Sequence, residues 1–249
     1  MAKEKRVING IVLRAVDTKE ADKILTVLTA ELGKISVVAK GARSRRSRVT
    51  AATQLLAYSE LVLTESHGWQ ILSEASTISL FDGVRGDITT LSLASYFAEL
   101  VDAVTYADIP SRDILSHLLN ALYALGELKK PELQVKAAFE LKLMALAGFE
   151  PLLDGCCVCG EEEPAQPMLN VEQGTVRCAA CPKESGVSIP IGTAVLSAMR
   201  YVIYGDPKRL YSFHLPEAER ESMANVCERY VEAQLERSFR TLDFYKSLL

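Results

Sequence analysis

Val7-Ile8-Asn9-Gly10-Ile11-Val12-Leu13-Arg14-Ala15-Val16 opens the chain with short apolar runs interrupted by polar residues and one glycine. Patterning with a period near two belongs to strands that bury one face. Working outward, the same pattern recurs at Lys23–Thr29, Lys34–Ala39, Gln54–Thr64 and Trp69–Ser73. Turn-forming residues separate these runs: Asp17-Thr18-Lys19, Gly33, Gly41 and His67-Gly68. Five short strands with no strong helix among them predict a small OB-fold β-barrel over residues 1–80, an architecture often used to hold oligonucleotides.

From about Asp82 the apolar period lengthens to three or four residues. Asp87 is placed to cap a helix carrying Ile88, Leu91, Ala94, Leu100, Val101 and Val104. Ser111 is placed to cap a second, carrying Ile114, Leu115, Leu118, Leu119, Leu122 and Leu125. Pro131 suits the first position of a third, which ends at Gly148. Helical spacing returns at Thr193–Tyr204 and Glu217–Phe239. The expectation is a multidomain α+β chain: the OB-fold β-barrel, then a helical bundle over 81–249 with an inserted four-cysteine segment at about 151–190.

That inserted segment is rich in Gly, Pro, Cys and Glu, and no apolar run in it is long enough for a core of its own. Cys156-Cys157-Val158-Cys159 is followed by Cys178-Ala179-Ala180-Cys181, with eighteen residues between Cys159 and Cys178. Two C-x-x-C knuckles at this separation match a four-cysteine zinc site. Four thiolates close the coordination shell, so the single ion expected on Cys156, Cys159, Cys178 and Cys181 is structural. Metal would then replace the missing core. An unmetallated thiol cluster and a redox pair are the other readings of these residues, and Cys157 competes with Cys156 for the first position. Cys227, in a helical stretch, reads as a small buried apolar residue.

The chain has 249 residues, is 49% hydrophobic and 24% charged, and has a mean hydropathy of +0.11, which excludes a disordered chain. No apolar run approaches the ~18 residues of a membrane helix, and the N-terminus has no signal-peptide core, so a cytoplasmic protein is expected. The net charge of −4 hides an asymmetry. Residues 1–80 hold 12 Lys and Arg against 8 Asp and Glu; the remainder hold 16 against 24. Lys34, Lys40, Arg43, Arg45, Arg46 and Arg48 fall within fifteen residues, and no acid interrupts from Gly33 to Ser59. Long basic side chains on a flexible loop of this kind can follow successive phosphates without reading sequence. Trp69, Tyr58 and Phe81 could stack on a base or join the core.

Enzyme chemistry finds little support. His67, His117 and His214 lie far apart, and the phosphate-loop, dinucleotide, zinc-protease and serine-hydrolase motifs are all missing. Glu161-Glu162-Glu163 reads as solvated charge. A zinc-containing OB-fold module that binds RNA or serves transcription is the main alternative, since both features occur together there.

Several stretches taken in order resemble the RecO family of bacterial recombination mediators. They are Gly10-Ile11-Val12-Leu13, Lys40-Gly41-Ala42-Arg43, Tyr96-Phe97-Ala98-Glu99-Leu100, Ala147-Gly148-Phe149-Glu150-Pro151-Leu152-Leu153-Asp154 before Cys156, and Arg237-Ser238-Phe239-Arg240-Thr241-Leu242-Asp243-Phe244. The resemblance implies a non-enzymatic, nucleoid-associated DNA repair protein of the bacterial cytoplasm. It would bind single- and double-stranded DNA, anneal complementary strands, and load a recombinase with RecR and the single-strand-binding protein, whose C-terminal tail would dock on the helical part. It implies zinc on Cys156, Cys159, Cys178 and Cys181, and DNA on Lys40, Arg43, Arg45, Arg46 and Arg48. Lys34 joins that set from its position in the basic stretch alone.

Overall fold

The alternating residues at the start of the chain become a fourteen-residue strand, β1 (Lys5–Thr18), in a computed structural model that describes residues 5–249. With β2 (Asp22–Thr29), β3 (Lys34–Ala39), β4 (Tyr58–Ser66) and β5 (Trp69–Ser79) it closes into a barrel of order β1-β2-β3-β5-β4. All pairings are antiparallel except β3 with β5. Inward positions supply the core, including Val12, Leu25, Val27, Val37, Leu61, Leu63 and Leu72. Gly10 pairs with Thr29 on one side and Ser59 on the other, so β1 has a partner strand along both edges there. A Cβ at that position would lie 2.5 Å from Val27 Cγ1, so the close packing at this seam requires glycine.

Two strand boundaries differ from the sequence reading. The run expected from Gln54 begins pairing at Tyr58, because Ala51–Thr53 forms a 3-10 turn and Leu56 adopts a φ of 63°. Leu56 and Ala57 are buried but serve the turn: the Leu56 N–H donates to Val12 O, and the Val12 N–H donates to Ala57 O. β5 runs on to Ser79, beyond the expected Ser73.

The described residues form two compact units, 5–127 with 239–249, and 128–238. In the first, the barrel is joined by α1 (Asp82–Arg85), α2 (Ile88–Val104), α3 (Arg112–Gly126) and α7 (Arg240–Lys246). Asp87 caps α2, accepting from the Thr90 N–H at 2.9 Å. Ser111 stands at the N-cap of α3, but its hydroxyl donates to the Ile109 carbonyl and leaves the helix uncapped by a side chain.

The helix expected to run to Phe239 breaks at Glu236 (φ 51°), and the chain returns to α2 as α7. Tyr96 meets Phe239 edge-on at 5.6 Å, and the Glu99 carboxylate accepts from the Thr241 N–H (3.1 Å) and hydroxyl (2.5 Å). A carboxylate at this helix start satisfies one free N–H group and complements the positive end of the dipole. Glu99→Ala is expected to cost this unit about 1–2 kcal/mol, read from urea unfolding, as for a lost charged cap.

The second unit contains α4 (Glu132–Leu146), α5 (Thr193–Tyr204) and α6 (Glu217–Leu235), with a four-stranded sheet. Pro131 occupies the N-cap of α4, one position before the helical slot expected for it. Buried Lys136 links α4 to α6 through Glu228 at 2.9 Å and pairs with Glu140 of its own helix, also at 2.9 Å. Burial opposes its charge, but the two carboxylates outweigh burial and raise its pKa. The sheet, β6 (Leu152–Cys156), β7 (Pro167–Asn170), β8 (Thr175–Cys178) and β9 (Ser188–Pro190), has the order β6-β8-β7-β9. Buried Leu153, Leu169 and Val176 give it a small apolar face.

Candidate nucleic-acid interface and metal centre

β6 ends at Cys156, and the turn after it carries Cys159; β8 ends at Cys178, and the turn after it carries Cys181. Parallel pairing of β6 with β8 brings the two turns together. The four sulfurs lie within 4.8 Å of one another. Cys156 to Cys181 and Cys159 to Cys178 are both 3.8 Å, the sulfur separation that a tetrahedral ion imposes at ~2.3 Å from each thiolate. The donor set therefore fits a metal ion. Cys157 lies outside it, exposed, with its N–H donating to Val176 O. Among the described residues no other group has this geometry.

The surroundings favour anionic sulfur at Cys156 alone: burial and the neighbouring sulfurs push the Cys178 thiol up to about 12, and the hydrogen bond with Cys159 pushes that of Cys181 up to about 11. Burial raises the Cys156 pKa, but N–H groups of Cys159, Cys178 and Val158 outweigh it and hold the thiol at about 6. The Cys178 N–H to Cys156 Sγ distance is 3.2 Å. Buried Arg177 donates to the carbonyls of Cys178 and Cys181, placing a fixed positive charge beside the cluster. From α5, Arg200 donates to the carbonyls of Leu153, Asp154 and Glu162 and pairs with Glu163 at 2.6 Å. Part of the acidic run Glu161-Glu162-Glu163 thus has a definite partner.

The basic stretch leaves the barrel after β3. It is not a free tether: Ser44 and Ser47 close successive turns, Arg43 N–H donates to Ala21 O, and Thr50 Oγ1 donates to Ala42 O. Ala42 is buried in the barrel core and Val49 packs against it, so both ends of the basic segment are anchored. The Gly41 N–H donates to Asp22 Oδ1 at 2.8 Å, fixing the first turn to β2. Between these anchors Arg43, Arg45, Arg46 and Arg48 are exposed, as is Lys40 before them. Arg43 pairs with Asp17 at 3.3 Å; among the described residues Lys40, Arg45, Arg46 and Arg48 make no ion pair.

Lys34 is placed differently. It starts β3, roughly 20 Å from the loop at ~3.3 Å per residue. Its ammonium is 2.8 Å from the Asp102 carboxylate and 2.6 Å from the Asp102 carbonyl. The structure brings five of the six basic residues together and engages the sixth elsewhere. Of the aromatic candidates, Trp69 is 51% exposed, while Tyr58 and Phe81 are half-buried. Trp69 is therefore not part of the barrel core.

Among the described residues, no helix is long and apolar enough to cross a membrane. Comparison with known proteins adds a family to this geometry. Residues 3–81 match the family described as Recombination protein O N terminal, and residues 85–243 match Recombination protein O C terminal. A relative from Acetivibrio thermocellus called DNA repair protein RecO is 31% identical over 240 residues, covering 96% of each chain. A protein of the same description from Caldicellulosiruptor saccharolyticus is 31% identical over 237 residues, covering 95% of this chain and 96% of its own. With both halves matched in order and nearly the whole length aligned, the chain belongs to the RecO family.

Proposed function

We propose that the chain is a non-enzymatic DNA-binding protein of recombination and repair that brings complementary strands together. The observation that carries this reading is the anchored loop Lys40–Arg48, where four basic side chains make no ion pair among the described residues, beside a barrel suited to oligonucleotides. Relatives described as DNA repair proteins support it. In this reading the barrel, residues 1–80, holds DNA on Lys40, Arg43, Arg45, Arg46 and Arg48. Residues 81–249 serve protein partners: RecR and the acidic, apolar C-terminal tail of the single-strand-binding protein. The work takes place in the cytoplasm, at the nucleoid.

The mechanism follows from charge. Two strands repel through their phosphates, and cationic side chains that neutralise both backbones lower the cost of bringing them together. Contacts confined to phosphates leave bases free to pair. The ion on Cys156, Cys159, Cys178 and Cys181 is zinc in this proposal, held by the four thiolates and supplying only rigidity to the 151–190 segment. Complementary oligonucleotides carrying a donor and an acceptor dye test the reading. The protein should accelerate pairing, and Arg45/Arg46/Arg48→Glu should return it to the spontaneous rate. Pairing no faster than spontaneous with the unaltered protein would contradict the proposal, and faster pairing of RNA than of DNA would favour an RNA-binding module.

A further inference from the structure

The outer face of the barrel carries a feature that strand alternation does not require. Register pairs Ile24 with Val38 and Val38 with Ile71, lining three apolar side chains across β2, β3 and β5. Their neighbours Leu25, Val37 and Leu72 are the ones that enter the core. On a solvent-facing barrel surface these outward positions are ordinarily polar. Here they floor a groove of about 320 Å³ whose rim holds Trp69, Lys19 and Lys40.

Trp69 is held in place by the backbone. It pairs with Ser66 across the two-residue turn His67-Gly68, whose φ values of 52° and 78° are those of a tight hairpin that follows the strand twist. A large aromatic ring, half in solvent, thus stands at a fixed strand start, next to an apolar floor, two ammonium groups and the Asp22 carboxylate, which accepts from the Gly41 N–H. Lys40 is shared: it lines the groove and begins the basic loop.

We propose that this groove is a stacking subsite for one unpaired nucleobase of single-stranded DNA, with Trp69 as the stacking partner. The floor of Ile24, Val38 and Ile71 contacts the base, and Lys19 and Lys40 hold the flanking phosphates. The proposal rests on the reading that the basic loop binds DNA, and adds a preference to it. Phosphate contacts need no unpaired base and so accept duplexes as well as single strands, whereas the groove needs a base out of its stack. Annealing removes that ligand, because both strands of the product are paired. The groove therefore favours the substrates of annealing and releases the duplex.

Trp69 is the one tryptophan in the chain, so its fluorescence reports directly on this groove. Anisotropy of a labelled oligothymidylate of about 16 nucleotides, the upper range for one such barrel, gives binding, and an unlabelled titration gives tryptophan quenching. A blunt duplex of equal length is the control. Quenching is expected with the single strand and not with the duplex. Trp69→Ala should weaken single-strand binding roughly 5- to 100-fold, as loss of a stacked base does, and leave duplex binding unchanged. Trp69→Phe should recover most of the affinity, with circular dichroism confirming that both variants fold.

Single-strand binding without quenching, or undiminished in Trp69→Ala, would overturn the subsite and leave the loop reading standing. Equal quenching by the duplex, or equal losses for both DNAs, would overturn the single-strand preference. If neither DNA raises the anisotropy with the unaltered protein, the DNA-binding reading falls, and the subsite with it.

Discussion

Replacing Arg45, Arg46 and Arg48 by glutamate is expected to weaken single-stranded DNA binding about 100-fold at 0.1 M salt without unfolding the barrel. All three side chains are exposed, so the substitutions remove no packing. A unit charge pair at 4 Å in water is worth ~1 kcal/mol, so each reversal loses about 1 kcal/mol of attraction and adds about as much repulsion. Three reversals give about 6 kcal/mol before screening, and a Debye length of ~10 Å leaves roughly half of it. Anisotropy titration of a labelled single strand measures the loss, with circular dichroism and thermal unfolding as controls. The same reversal at Lys34 should have a smaller effect on DNA and a larger one on stability, because its charge is already committed to Asp102.

The second large effect concerns the metal centre. Cys178→Ser or Cys181→Ser is expected to abolish binding of one metal ion per chain and to loosen the sheet β6–β9. Structural four-thiolate sites hold zinc with an apparent ~10–16 kcal/mol in small folds, and the segment they organise depends on that energy. Here the apolar face of the sheet is small, with Leu153, Leu169 and Val176 enclosed. Hydrogen exchange should accelerate across 152–190, while α4 and α6 stay protected by their own packing and the Lys136 ion pairs. Cys157→Ser should keep the full metal content, because its sulfur lies outside the cluster. Elemental analysis decides: one equivalent retained in Cys178→Ser would contradict the assignment of that ligand. Chelation should leave DNA binding by the barrel unchanged, as expected of a structural ion.

What could be read from the sequence was local. Strand alternation is a neighbour-to-neighbour property, and it located β1, β2 and β3 closely. It misplaced the start of β4, because Leu55, Leu56 and Ala57 look like strand residues although they form a buried turn. The cysteine knuckles were legible because ligand spacing is itself a sequence pattern, and parallel pairing of β6 with β8 brings the knuckles together. The apolar residues of that segment were too dispersed to announce its four strands.

Long-range partners left no comparable trace. Nothing near Glu99 signals that it caps a helix 142 residues away, so the break at Glu236 and the return of α7 to α2 were invisible. Lys34 read as one more cation in a basic run, and only the fold reveals Asp102 beside it. The outward rung of Ile24, Val38 and Ile71 depends on the register of three strands. Each residue alone reads as core.

The most direct test of DNA binding through backbone charge is the salt dependence of single-strand affinity for the unaltered protein and for Arg45/Arg46/Arg48→Glu. With four to six phosphates engaged, log K should fall against log salt with a slope of roughly −3 to −5 in the unaltered protein. The slope should become shallower by about 2 to 3 units in the variant, near one for each phosphate that is no longer neutralised. A slope near zero, or equal slopes for the two proteins, would contradict binding through this loop.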